Sequence, residues 1–149
     1  MAAKKTIKKI IDKKPAKKKP IKRKIWFKDK TVEIDPLVEN YNAGEDILYD
    51  QLMIPNDVFG SRMYARLLQK HKIINKKELG QLEKGLDEIL ALYNDGKFQL
   101  KVEDEDSHTK IEEYLIKKLG PVGKKIHTAR SRNDQVLVMM RLYLKEQSL

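Results

Sequence analysis

Residues 127–144 have the sequence HTARSRNDQVLVMMRLYL, in which a dense polar cluster is followed directly by an apolar segment. Ser131 is a favourable N-cap residue, and Asp134 stands at the third helical position, where its side chain can complete a capping box. The segment that follows is apolar on most sides, which indicates a helix with neighbours all round. Its apolar residues are Val136, Leu137, Val138, Met139, Met140, Leu142 and Leu144. This stretch predicts a helix that begins near Ser131.

Two more helices are predicted upstream of this stretch. Between Asp57 and Lys70 apolar residues recur close to a 3.6-residue period, at Val58, Phe59, Met63, Tyr64, Leu67 and Leu68. Asn75 and Glu78 form the capping pair of a second helix. Its apolar face contains Leu79, Leu82, Leu86, Ile89, Leu90 and Tyr93. The turn at 94–96 ends this helix, because Gly96 suits a left-handed stop.

A loop and a third helix are predicted between these segments and the last helix. Residues 97–107 favour extended or loop structure and become acidic from Glu103 to Asp106. The third helix runs from about His108 to Leu119 and is closed by Gly120 and Pro121. The chain has 149 residues with only 7 Gly and 5 Pro, which disfavours an all-β sandwich. The predicted fold class is all-α.

The positive charge is concentrated at the N-terminus. Residues 1–24 hold twelve Lys or Arg and one acid, Asp12, so their net charge is +11. The whole chain has a net charge of +10, so residues 25–149 together carry −1. Like charges repel and prolines interrupt helices, so this Lys-rich tail is predicted to be disordered and to bind polyanions weakly. The chain contains no Cys, which excludes thiol catalysis and Cys-ligated metals. Its apolar runs are far shorter than the roughly 18 residues of a membrane helix.

The polar cluster predicts an anion site. Arg132 and Asn133 fall in the first turn of the last helix, where free backbone N–H groups and the helix dipole favour negative charge. The planar Arg guanidinium matches a carboxylate bidentately. The alternative is a well-capped helix whose arginines pair with the acidic loop at 103–106. Composition alone does not separate these two interpretations.

The same cluster resembles a known family. HTARSRNDQV, from His127 to Val136, is similar to the hallmark of the argininosuccinate lyases in the fumarase/aspartase superfamily. Residues 105–108 followed by Glu112 resemble the E-D-x-H-x-x-x-E of that family, and the run from Tyr49-Asp50 to Ser61 resembles its first long helix. The resemblance covers about residues 24–149.

The chain also departs from the family pattern. The W-G-G-R-F start of the family is replaced by WFKD at 26–29, and the loop at 42–46 is two residues longer. The longer loop puts one substrate contact in doubt. The segments that carry the catalytic histidine and serine of the family have no counterpart in these 149 residues. The chain is therefore expected to be an incomplete and inactive lyase.

The resemblance implies an organisation and a reaction. It implies a disordered tail at 1–24, an N-terminal helical domain at 25–132 and the start of a central-bundle helix at 133–149. The family reversibly eliminates fumarate from argininosuccinate and leaves arginine, as a cytoplasmic homotetramer in arginine biosynthesis, with no cofactor and no metal. A base removes a proton next to a carboxylate, and donors must stabilise the resulting charge.

The resemblance also assigns roles to individual residues. Arg132 and Asn133 would bind the succinate side of the substrate. The supporting residues would be Ser131, Asp134, Arg130 and Asp50. His108 is a candidate acid or base, although we favour a hydrogen-bonded histidine that orients the neighbouring loop. Two other functions stay open, a catalytically dead lyase remnant and a basic polyanion-binding protein.

Overall fold

The computed structural model describes residues 46–101 and 104–149. The predicted tail at 1–24, the start at 26–29 and the longer loop at 42–46 lie outside these residues, apart from Asp46. The described ranges contain five α-helices: α1 (Asp46–Lys70), α2 (Lys76–Asn94), α3 (Ser107–Leu119), α4 (Pro121–Lys124) and α5 (Arg132–Gln147). A short 3-10 helix, Lys125–His127, follows α4 directly. No strand occurs in the described part of the chain, and the all-α prediction is confirmed.

The first helix is longer than the sequence indicates. It begins at Asp46 rather than Asp57 and continues through Pro55. The additional segment is held by a distant loop, because the Gln51 amide donates to the Phe98 carbonyl at 3.0 Å and accepts from the Leu100 N–H at 2.6 Å. The predicted apolar face is also partly wrong. Val58 and Leu68 are buried, but three of its members, Phe59, Met63 and Leu67, are exposed.

The second helix follows the prediction closely. Asn75 accepts from the Glu78 N–H, and the Glu78 carboxylate accepts from the Asn75 N–H, both at 2.9 Å. This capping box begins α2 where the sequence predicts it. Gly96 adopts a φ of 69°, a left-handed conformation that costs glycine little. The pKa of Glu78 lies below its usual value because Lys125 and the Asn75 N–H both donate to the carboxylate.

The core lies where α1, α2 and α3 meet. Leu82, Leu86 and Ile89 of α2 are fully buried with Ile111 and Leu115 of α3. Helix α1 packs against α2, α3 and α5. Its contact with α5 is close at Gly60, where a Cβ atom would lie 3.2 Å from Val138. The third and last helices begin as predicted, within one residue of His108 and Ser131.

None of the helices in residues 46–101 and 104–149 combines the length and apolar character of a membrane-crossing segment. In the same ranges, no three His, Asp or Glu side chains form a group that could hold a metal ion.

Candidate functional site

Two helix N-termini meet on one side of the molecule, and they belong to α3 and α5. Arg132 is the first residue of α5, and Asp106 is the N-cap of α3. The Arg132 guanidinium donates to the Asp106 carboxylate and, at 2.9 Å, to the Thr109 hydroxyl. The Arg132 side chain retains 33% of its exposure. The arginine of the predicted anion site is therefore paired with the acidic loop and still partly accessible to solvent.

Asp106 uses its two carboxylate oxygens for different purposes. One oxygen accepts from the Thr109 N–H at 2.7 Å and caps α3, while the other accepts from Arg132. The preceding residue, Glu105, has a φ of 73°, which is uncommon for a residue other than glycine. This turn aims Asp106 at the start of α5, so the two N-termini are joined through one carboxylate.

The start of α5 differs from the predicted capping box. Ser131 occupies the N-cap position with extended backbone, and its carbonyl accepts from the Gln135 N–H at 3.2 Å. Its hydroxyl makes no capping bond to the helix, so the reciprocal pair of Ser131 and Asp134 does not form. Both residues are exposed, and water can satisfy exposed N–H groups at a helix start. The Asp134 carboxylate instead interacts electrostatically with Arg130.

Asn133 and Asp50 are two more of the residues assigned to the site by sequence. Asn133 follows Arg132 in the first turn of α5, and its side chain is exposed. Asp50 lies on α1 and accepts a hydrogen bond at 2.9 Å from the N–H of Ser107, the first residue of α3. Burial raises the pKa of Asp50, and the bond from Ser107 offsets only part of that effect. Asp50 thus satisfies one of the free N–H groups at the N-terminus of α3.

A buried polar network lies beneath the two N-termini and centres on Asp57 of α1. Its carboxylate is 1% exposed. Two side chains from α3 and α5 donate to it, Ser107 at 3.2 Å and Gln135 at 3.1 Å, and the Nδ1 atom of His108 lies 2.5 Å from it. Burial alone would raise the pKa of Asp57, but the bonds from His108 and Gln135 and the nearby charges lower it below the usual value. Asp57 is therefore a buried carboxylate that remains ionised.

His108 is buried beside Asp57 and is only 3% exposed. Its Nδ1 atom faces the Asp57 carboxylate, whereas its Nε2 atom is buried and has no hydrogen-bond partner among the described residues. The ring lines a small cavity of about 10 Å³, which is the volume that one water requires. The polar residues around this cavity are Ser61, Glu112, His127, Arg130 and Gln135.

Arg130 holds the loop that precedes α5. Its guanidinium donates to the Ser61 hydroxyl at 3.1 Å and lies 4.8 Å from the centre of the Tyr64 ring. The Tyr64 hydroxyl in turn donates to the Thr128 carbonyl at 2.6 Å. Burial lowers the pKa of Arg130, and the charge of Asp57 partly offsets that effect. The preceding residue, Ala129, has a φ of 56°. The contacts of Arg130 and Tyr64 therefore stabilise a strained turn.

The site members that sequence reasoning missed include Asp57, Ser61, Tyr64 and Gln135. Asp57 offered one signal, because it is an acidic residue within an apolar helical period. A charged side chain that faces a core must be paired. The other three give no such signal, because the bonds that bring them to the site, from Tyr64 to Thr128, Arg130 to Ser61 and Gln135 to Asp57, span 64 or more residues.

Comparisons with known proteins relate this chain to the lyases. A family described as lyase matches residues 28–149. An argininosuccinate lyase from Thermotoga neapolitana is 47% identical over 124 residues, which are 83% of this chain and 31% of that protein. The argininosuccinate lyase of Alkaliphilus metalliredigens is 44% identical over 126 residues, 85% of this chain and 27% of that protein. The chain thus spans less than a third of the length of these curated relatives.

Proposed function

This chain belongs to the lyase family, and we propose that it is the N-terminal region of an argininosuccinate lyase. In this proposal residues 25–132 form the N-terminal helical domain, and 133–149 begin a longer helix of a central bundle. The reaction would be the reversible elimination of fumarate from argininosuccinate, with arginine as the second product. The enzyme would act in the cytoplasm as a homotetramer, in arginine biosynthesis.

The observation that carries the proposal is the meeting of two helix N-termini at Arg132. A helix N-terminus presents unpaired N–H groups and a partial positive charge, which favour a carboxylate. Arg132 adds a guanidinium that is one-third exposed at that point. Asn133 adds an exposed amide in the same turn. Together they would receive the succinate end of the substrate.

The elimination itself makes this arrangement useful. Removal of a proton next to a carboxylate leaves a second negative charge on the same end of the substrate. Donors already held in place stabilise such a charge without the cost of reorganisation. Arg132 is held by Asp106 and Thr109, so its guanidinium would be preorganised. The proton acceptor would come from a part of the enzyme beyond the matched segment.

A chimera tests the proposal. Residues 28–149 replace the matching segment of the Thermotoga neapolitana enzyme, and fumarate release from argininosuccinate is followed by absorbance. We expect turnover by the chimera and none by residues 1–149 alone. A folded chimera without turnover would contradict the lyase proposal and favour a catalytically dead remnant.

The unmodified host enzyme and a chimera carrying a scrambled 127–136 segment are the controls. The scrambled chimera should lose turnover while keeping its helical circular dichroism, because the segment would supply the substrate contacts. Turnover that survives scrambling would show that this segment plays no part in the reaction.

A further inference from the structure

Asp57 occupies a position that the proposed chemistry does not use. It lies in the middle of α1, and its side chain is buried. Nevertheless it accepts from side chains at the beginnings of both site helices, Ser107 and His108 on α3 and Gln135 on α5. A buried ionised carboxylate is costly unless it is fully bonded. Its place beneath the site therefore calls for an explanation.

The bond to His108 determines which ring nitrogen carries a proton. An ionised carboxylate only accepts hydrogen bonds, so the Nδ1 atom facing Asp57 must hold the hydrogen. In a neutral imidazole the other nitrogen then has a lone pair. That nitrogen, Nε2, is the buried atom that lacks a protein partner among the described residues.

The cavity beside His108 suits that lone pair. It has room for one water, and a buried water needs two to four polar partners. Ser61, Arg130 and Gln135 lie in its wall. The Arg130 guanidinium can only donate hydrogen bonds, and the Ser61 hydroxyl can donate or accept. A water in the cavity could therefore accept a hydrogen bond from these groups and donate one to Nε2.

We propose that Asp57 is a positioning residue, which fixes His108 in the Nδ1-protonated tautomer with a bare Nε2 facing a one-water site. Through Gln135 the same carboxylate also fixes the first turns of α5, which carry Arg132 and Asn133. This inference deepens the proposed function and rests on it only for its role in catalysis. The tautomer and the water site are properties of the chain itself.

Nitrogen NMR tests the tautomer directly. The chain has 3 histidines, so labelling with ¹⁵N-histidine gives few signals, and a His108→Gln variant assigns the ring of interest. At pH 8 we expect Nδ1 of His108 to be protonated and Nε2 to be bare. A ring protonated at Nε2 in the wild-type chain would overturn the proposal, and this result needs no variant that alters Asp57.

Asp57→Asn tests the cause. The neutral amide can rotate and present either a donor or an acceptor, so the preference for protonated Nδ1 should be lost. Asp104→Asn is the matched control, because Asp104 is also buried, at 4% exposure, and pairs with Lys110 instead. The control should keep the wild-type tautomer. An unchanged tautomer in a folded Asp57→Asn chain would refute the positioning role.

The two proposals fail separately. If the chimera releases no fumarate while the wild-type tautomer is as expected, the lyase proposal falls and the positioning of His108 stands. If the chimera is active, Asp57→Asn within it should lower kcat at least tenfold, and Asp104→Asn should leave kcat within twofold. An active chimera that tolerates Asp57→Asn would remove Asp57 from the mechanism.

Discussion

Arg132, the first residue of α5, donates a hydrogen bond to Asp106, the residue that caps α3. The bond joins two helix N-termini, each of which would otherwise favour an anion of its own. Asp106 supplies that negative charge within the protein. A substrate carboxylate that binds Arg132 must therefore share the guanidinium with Asp106. The two interpretations left open by the sequence, an anion site and an internal ion pair, are compatible in this geometry.

Replacing Arg132 tests the anion site. In the chimera, Arg132→Ala should reduce kcat/KM for argininosuccinate at least a hundredfold. Loss of one charged donor aimed at developing charge costs about 3 kcal/mol. The measurement is steady-state fumarate release, with circular dichroism to confirm that the helices remain.

Arg141→Ala is the matched control for this prediction. Arg141 lies on the same helix and is exposed, so its removal changes the net charge equally but leaves the helix start intact. Its kcat/KM should stay within twofold of the parent chimera. Equal losses in both variants, or near-normal kinetics for Arg132→Ala, would contradict the assignment.

The capping box of α2 should contribute measurably to stability. Asn75→Ala removes the acceptor for the Glu78 N–H and should lower the free energy of unfolding by about 1 kcal/mol. Asn75→Ser, which retains a capping oxygen, should cost only a fraction of that. Urea unfolding followed by circular dichroism compares the two variants. Equal stability of Asn75→Ala and the wild type would show that water replaces the cap without cost.

The accuracy of the sequence predictions depends on the range of the interactions involved. The capping box of α2 was predicted correctly because its partners are three residues apart. The start of α1 was missed because Gln51 is anchored by residues 98 and 100, which are far away in the sequence. The capping role of Ser131 was overestimated because local propensity ignores solvent at an exposed helix start.

The candidate site was likewise predicted only in part. The motif predicts Arg132 and Asn133 in the first turn of one helix and Arg130 just before it, and the structure has them at these positions. The network around Asp57 depends on three helices meeting, and the bonds that join α1 to the other two helices span 50 or more residues of sequence. No local pattern contains that information.

The contributions of Asp50 and Asp57 to the free energy of unfolding should change in opposite directions with pH. The raised pKa of Asp50 means that the folded state disfavours its charge, so its contribution to stability falls as pH rises through that pKa. Asp50→Asn keeps an oxygen for the Ser107 N–H, and the variant should therefore be more stable than wild type at pH 7. Its advantage should shrink as the pH falls through the raised pKa of Asp50, and it should be gone below the usual Asp pKa.

The pKa of Asp57 is lowered, so its contribution to stability has the opposite pH dependence. Its stabilising contribution is complete above the usual Asp pKa and is lost as the pH falls through the lower folded value. Asp57→Asn should thus be less stable than wild type at pH 7, and the difference should narrow in acid. Urea unfolding of both variants at pH 7, pH 4 and about pH 2 provides the comparison, because the Asp57 contribution is lost only below the usual Asp pKa. Parallel pH profiles for the two variants would contradict the electrostatic interpretation.

The Lys-rich segment should account for any polyanion binding. Residues 1–24 carry a net charge of +11, so their deletion should abolish retention on heparin at 0.15 M salt. Binding by the full chain should weaken steeply with salt, because lysine–phosphate contacts release counterions. Fluorescence anisotropy with a labelled DNA duplex at several salt concentrations measures both. Salt-insensitive binding by the truncated chain would support a nucleic-acid function for the helical body.

The exposed apolar face of α1 and α5 should make the isolated chain associate with itself. Leu52, Phe59, Leu137 and Leu144 are each at least half exposed. Between the two helices lies an apolar groove of about 210 Å³ lined by Tyr49, Met53, Met140, Tyr143 and Leu144. Continuous apolar patches of this kind promote association, and burial of each large side chain is worth about 1.5–3 kcal/mol. Light scattering after size exclusion should therefore give a mass above 17.4 kDa.

Charge substitutions identify the face responsible. Leu137→Lys with Leu144→Lys should shift the chain towards the monomer, because two ammonium groups would have to be desolvated in any interface. Ile73→Lys is the control, since Ile73 is 46% exposed but lies in the turn between α1 and α2. It should leave the mass distribution unchanged. A wild-type chain that stays monomeric at 100 µM would show that this face does not drive association between copies, whatever its apolar character.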